Sequence, residues 1–235
     1  FMGFFDTFSK KTAEQNYLEG LEFAKLKRYS DAISSYDRAI AIQPDHALAW
    51  YDRGIALNEL DRYSEAVASY DKAIAIEPSH DVLWGYRGIS LTKLKRFSEA
   101  VDSFNTALSI NPNDAELWHS RGYALYELGQ YAEAVDSCNN ALTLDQNCIR
   151  AWQIRGLPLF QLGEYSEAIA SYDKALSINP NNAGDWYIRG VALFRIERYA
   201  EAIGSFDNTI AINPNDVEAK REREIALQYL EKKSR

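Results

Sequence analysis

Glycine returns along this chain at one fixed interval: Gly20, Gly54, Gly88, Gly122, Gly156 and Gly190 stand 34 residues apart. Ala32, Ala66, Ala100, Ala134, Ala168 and Ala202 keep the same step, as do all five tryptophans, Trp50, Trp84, Trp118, Trp152 and Trp186. An interval of this length marks a structural unit copied along the chain, because each copy leaves an apolar face that its neighbour covers. The 235 residues are therefore read as one elongated array, in which each unit meets mainly the next, instead of one or two globular cores.

With the frame opened at Ala13, the units are 13–46, 47–80, 81–114, 115–148, 149–182 and 183–216. Each holds two helical patterns. In the second unit Trp50, Gly54, Leu57 and Leu60 recur at steps of three and four and share one helical face. After a turn at Asp61-Arg62, a wider apolar stripe carries Tyr63, Ala66, Val67, Tyr70, Ala73, Ile74 and Ile76. Pro78 ends it, since proline has no N–H for a helix and disfavours a helical residue before it. A glycine inside a helix costs about 1 kcal/mol relative to alanine. Six at one register imply a close approach of two helix backbones, with Ala66 and Ala73 opposite. The tryptophans are expected to fill the wider gap toward the neighbouring hairpin.

This pattern resembles the tetratricopeptide repeat, from Ala13 to Asp216 and beyond. The departures are Asn16 for the first tryptophan, Gln146 for the fourth proline and Thr209 for the last alanine. The resemblance implies an all-α fold: a right-handed superhelical solenoid of six helix-turn-helix repeats whose first helices line a concave groove. It implies a binding scaffold without catalysis or cofactor.

A net charge of −8 argues against nonspecific nucleic-acid binding, which needs a basic surface. Cys138 takes the register of Tyr70 and Phe104 and reads as core, while Cys148 falls between repeats; two cysteines do not suggest a disulfide framework. There is no apolar run of membrane-spanning length and no secretory leader, so the expected location is cytoplasmic. Residues 1–12 precede the repeats and carry Phe4, Phe5 and Phe8 on one face, followed by Lys10 and Lys11. They read as an aromatic cap on the first hairpin or as an arm that docks into a groove. Residues 217–235 read as a charged capping helix, with Glu224 at the glycine register, so both ends look finished. Pro158 lies inside the first helix of the fifth repeat, where a kink is expected.

Two rows stand out as candidate sites. Arg53, Arg87, Arg121, Arg155 and Arg189 precede five of the glycines, and each follows Asp37, Asp71, Asn105, Asn139 or Asp173 by 16 residues. An arginine held between hairpins needs a hydrogen-bonding partner, so this row is expected to be structural, with a ligand ladder as the alternative. The groove registers collect Tyr51, Tyr86, Tyr123, Tyr126, Phe160, Tyr187 and Phe194, the partner-binding candidates, and the C-terminal half is the more aromatic. Clustered exposed aromatics mark interaction surfaces; half-buried packing is the alternative. Family members that capture acidic chaperone C-termini carry a lysine and asparagine pair in these registers. Here the pairs are Tyr17 and Leu21, Tyr51 and Ile55, or Gly85 and Ile89, so the clamp is absent. His46 and His80 share a loop register, but two ligands do not make a zinc site.

The leading expectation is a non-enzymatic protein-protein interaction scaffold that binds an apolar or helical segment of another protein or peptide, with an assembly factor as the expected role within that class. A self-associating protein whose N-terminal arm enters a neighbour's groove is the second reading. A small-ligand or metal binder using the arginine or histidine rows is the third.

Overall fold

The computed structural model describes residues 11–233. The aromatic part of the N-terminal segment, with Phe4, Phe5 and Phe8, lies outside the described residues. Among those described, the chain forms thirteen α-helices and no strand. They fall into two compact units divided between Pro112 and Asn113. Unit one holds α1 (Ala13–Lys25), α2 (Tyr29–Ile42), α3 (Ala47–Asn58), α4 (Tyr63–Ile76), α5 (Asp81–Lys93) and α6 (Phe97–Ile110). Unit two holds α7 (Ala115–Glu127), α8 (Tyr131–Leu144), α9 (Ile149–Gln161), α10 (Tyr165–Ile178), α11 (Ala183–Arg195), α12 (Tyr199–Ile212) and α13 (Val217–Lys233). Within each unit consecutive helices pack as hairpins. First helices also meet one another, α1 with α3 and α3 with α5, then α7 with α9.

The hairpin turn is made the same way each time. Lys27, Asp61, Lys95, Gly129, Gly163 and Glu197, again 34 apart, adopt positive φ of 56–79°. In the fourth repeat the N–H of Gly129 bonds the Tyr126 carbonyl and that of Gln130 the Leu125 carbonyl, both at 2.9 Å. These two bonds serve the last carbonyls of the first helix, which otherwise have no partner. Only Gly129 and Gly163 take this conformation without steric cost.

The repeated glycine has a different reason from the one its spacing suggested. A Cβ built on Gly54 would lie 2.5 Å from the Tyr70 ring, and one on Gly156 2.6 Å from the Tyr172 ring. What fills the glycine gap is therefore an aromatic ring from the second helix, not a second backbone. Tyr36, Tyr70, Phe104, Tyr172 and Phe206, each buried to within 1 %, occupy this position. In the fourth repeat Cys138 replaces the ring, and there the Ala134 carbonyl oxygen stands 3.3 Å from the Cβ position of Gly122. The alanine row around these rings is fully buried.

The other departures resolve individually. Asn16 is buried, accepts a bond from Arg38 Nε at 3.1 Å and donates to the Thr12 carbonyl at 2.9 Å, so it is a bonded interior residue. Helix α9 continues through Pro158, although the proline has no N–H to offer the Ile154 carbonyl. Each of Trp50, Trp84, Trp152 and Trp186 donates its indole N–H at 2.9 Å to the carbonyl six residues back. At Trp152 the acceptor belongs to Gln146, so the missing proline costs no hydrogen bond there.

Candidate functional site

The arginine row is bonded into the hairpins. Arg53 and Arg87 of unit one donate Nε to Asp37 and Asp71 at 2.7 Å. In unit two Arg155 donates to Asn139 at 2.8 Å and Arg189 to Asp173 at 2.6 Å. A second partner was legible but unread: Ser69, Ser103, Ser137, Ser171 and Ser205 also recur every 34 residues. Each accepts an Nη1 bond from the arginine 16 residues before it, Arg121 included. Arg53, Arg87, Arg121 and Arg189 also lie 5.5–6.0 Å from a tryptophan ring centroid in the same helix, within cation–π range. Arg223 of α13, read from sequence as part of a charged cap, pairs with Asp207 at the same 16-residue spacing.

The aromatic candidates separate into local groups, all half-buried. In unit one the Tyr51 and Tyr86 rings meet edge to face at 5.6 Å, and Tyr86 stacks on buried Tyr70 at 6.0 Å. Burial, with Tyr86 alongside, pushes the Tyr51 phenol up. Tyr17 donates to Asp52 at 2.8 Å and packs on His46 at 4.8 Å. Burial raises the Asp52 carboxyl against the opposing effect of that bond. Beside Tyr51, residues Ala47, Leu48, Glu77, His80, Val82 and Leu83 enclose a hollow of about 220 Å³.

In unit two Tyr126, Phe160 and Phe194 hold one register and each packs on the first residue of the helix that follows. Tyr126 lies 5.8 Å from Tyr131, Phe160 5.2 Å from Tyr165 and Phe194 5.2 Å from Tyr199. Tyr229 of α13 joins the last pair, 5.3 Å from Phe194. Unit one has Ala24, Asn58 and Thr92 at this register, so the ring pairs belong to unit two. Tyr187 does not join them: its ring sits 6.0 Å from core Phe206. Tyr123 is half-buried, and burial together with a bond to Glu127 pushes its phenol up.

Asn58 has a consequence beyond its own repeat. Its amide donates to the Tyr70 hydroxyl at 3.2 Å, and its oxygen accepts from Ser90 at 2.9 Å. Phe160 at the same register offers the corresponding Tyr172 no donor, and the Tyr172 hydroxyl is buried without a hydrogen-bond partner. An unsatisfied buried hydroxyl costs about 1–3 kcal/mol. Tyr172→Phe, a change to the residue at Phe104 and Phe206, is expected to stabilise the chain by about 1 kcal/mol in urea unfolding. Tyr70→Phe is expected to destabilise it; the same sign for both would show that the hydroxyls are equivalent.

The cysteines are free thiols, and burial pushes that of Cys138 up to about 12. Among the described residues no three His, Cys, Asp or Glu side chains converge as a metal site. His46 spends Nδ1 on the Ala49 N–H at the start of α3. Among the same residues, no helix is long and apolar enough to cross a membrane.

Hairpins built on a glycine–ring contact, tied by a bonded arginine row and carrying an aromatic first-helix edge, define a class of helical repeat scaffolds. Family models described as tetratricopeptide repeat match residues 17–81 and 115–148, and one described as TPR repeat matches 88–129 and 156–197. The chain belongs to the tetratricopeptide repeat family. Among solved structures it is similar to YrrB, described as a TPR protein with an unusual peptide-binding site. The identity is 24 % and the TM-score 0.70, over 80 % of this chain and 97 % of YrrB. PilW, described as a widely conserved type IV pilus biogenesis factor, is 19 % identical with a TM-score of 0.75, over 92 % and 98 % of the two chains. MamA from Desulfovibrio magneticus RS-1 is 20 % identical with a TM-score of 0.68, over 72 % and 95 %. Likeness at these identities concerns the fold alone. No curated protein matches the chain in sequence.

Proposed function

We propose that this protein is a non-enzymatic interaction scaffold that binds an apolar or helical segment of a partner protein along the first-helix edge of unit two. The observation that carries this reading is the row Tyr126, Phe160 and Phe194, three half-buried rings at one register, absent from unit one. Each leaves part of an apolar ring in water while its other side rests on a tyrosine. Such rings are rigid, lose little entropy on binding and supply most of the affinity where they are covered. The peptide-binding site in the description of YrrB accords with this reading.

Selection of peptides displayed on phage against the full chain tests it. The selected peptides are expected to share apolar or aromatic anchors, and the double change Tyr126→Ala with Phe194→Ala is expected to weaken them at least about tenfold. Circular dichroism separates loss of binding from loss of fold. Wild-type affinity in a natively folded double variant would remove these rings from the site; unfolding would make them core.

A further inference from the structure

The third position of the first helix is apolar in Ala49, Leu83, Leu117, Ala151 and Ala219, and all five are buried. In α11 that position is Asp185, 6 % exposed. Its Oδ2 accepts from Gln153 Nε2 of α9 at 2.7 Å, and its own N–H bonds Asn182 Oδ1 at 3.2 Å. Among the described residues no lysine, arginine or histidine forms an ion pair with it; its side-chain partner is the neutral amide. A carboxylate taken out of water without an opposite charge is costly, and an alanine would serve the packing. Burial accordingly pushes the Asp185 carboxyl up, against the Gln153 bond.

A second observation converges on the same place. The buried Tyr172 hydroxyl lacks a donor. After burial itself, the group that most raises this phenol is Asp185, followed by Tyr126. Geometry places the two in one neighbourhood: the Tyr172 cluster packs against Phe160 of the aromatic edge and against Ile188, one turn after Asp185 on α11, and the Tyr172 hydroxyl lies 3.0 Å from the Cβ position of Gly156, one turn after Gln153 on α9.

We propose that Asp185 and Gln153 form a subsite for an arginine side chain of the bound segment, an inference that rests on the partner-binding reading of unit two. A guanidinium supplies the missing charge and has five N–H donors in a planar fork. It can bond the carboxylate and the Gln153 side-chain oxygen together. The net charge of −8 favours the approach of a cationic segment. The partner segment thus pairs an arginine with flanking apolar anchors.

The test uses the full chain and two probes, N-acetyl-phenylalanyl-arginyl-phenylalanine amide and its citrulline counterpart, which keeps the shape and removes the charge. Calorimetry at low salt and pH 7.5 is expected to show the arginine peptide bound about tenfold more tightly. Asp185→Asn is expected to bring the two to within about twofold, as is Asp185→Ala, which restores the residue of Ala49, Ala151 and Ala219. The preference is expected to fade as pH falls and Asp185 takes up its proton. Equal affinities in the wild type, a preference that survives in both variants, or no binding of either probe at millimolar concentration would overturn the subsite. If the citrulline peptide binds and Tyr126→Ala with Phe194→Ala abolishes that binding while no arginine preference exists, the aromatic edge stands and the subsite alone fails.

Discussion

Gly156→Leu is expected to lower the stability of the chain by about 3 kcal/mol, the upper part of the usual range for overpacking. A Cβ at this position already falls 2.6 Å from two atoms of the Tyr172 ring and 3.0 Å from its hydroxyl. That ring is 1 % exposed, packed with Leu159 and Ala168, and has nowhere to rotate. Gly122→Ala is the contrasting variant. Its Cβ meets Cys138 Sγ at 2.9 Å and the Ala134 oxygen at 3.3 Å, with no ring in the gap. Alanine also gains about 1 kcal/mol of helix propensity over glycine, so this change is expected to be near neutral. Thermal unfolding followed by circular dichroism at 222 nm compares the two. Equal melting temperatures for both variants and the wild type would mean that the ring does not hold the glycine register closed.

Acidification is expected to destabilise the protein through His119. This side chain is buried, with Nδ1 3.3 Å from Ser120 Oγ. Burial first and Arg150 second bring its pKa down to about 4, against the opposing Asp114. In the unfolded chain an imidazole titrates near about 6.5. Above that value neither state binds the proton and His119 adds no pH dependence. Between about 6.5 and 4 the unfolded state takes up a proton that the folded state refuses, so stability falls with pH. At about 1.4 kcal/mol per pH unit this reaches roughly 2–3 kcal/mol at pH 4.5. His119→Gln, the residue found at Gln153 in the same register, removes the contribution. Urea unfolding of both proteins between pH 7.5 and 4.5 is expected to give converging stabilities for the variant relative to its own neutral value and a steeper fall for the wild type. Parallel curves would show that His119 is protonated as readily in the fold as out of it.

Asp185 opposes this trend in sign. Its carboxyl is raised by burial, so the folded state holds a proton that the unfolded state releases, and that group alone gains stability as pH falls below its folded pKa. Comparing His119→Gln with Asp185→Ala in the same series separates the two contributions.

What the sequence by itself determined follows from local rules repeated in phase. Helical periodicity and a proline after most second helices suffice to place the hairpins, because both act within a few residues. The 16-residue spacing from Asp37 to Arg53 could be read because it recurs, and recurrence carries a contact from one repeat to the next. The aromatic register of Tyr126, Phe160 and Phe194 was visible for the same reason. Spacing could not distinguish a backbone from a ring as the occupant of the glycine gap, since both leave the same small residue in the sequence. Nor could it tell that Tyr187 rests on Phe206 while Phe194 rests on Tyr199 and Tyr229. The burial of Asp185 was decided only by tertiary structure. An aspartate in the first turn of a helix is ordinarily a solvated residue that favours the positive end of the dipole, and Gln153, 32 residues away, completes its hydrogen bonding. The orphaned Tyr172 hydroxyl has the same origin: its missing donor is set by Phe160 standing where Asn58 stands three repeats earlier. Whether a polar atom is satisfied depends on the side chains that surround it from several helices, and a periodic pattern describes each helix only one face at a time.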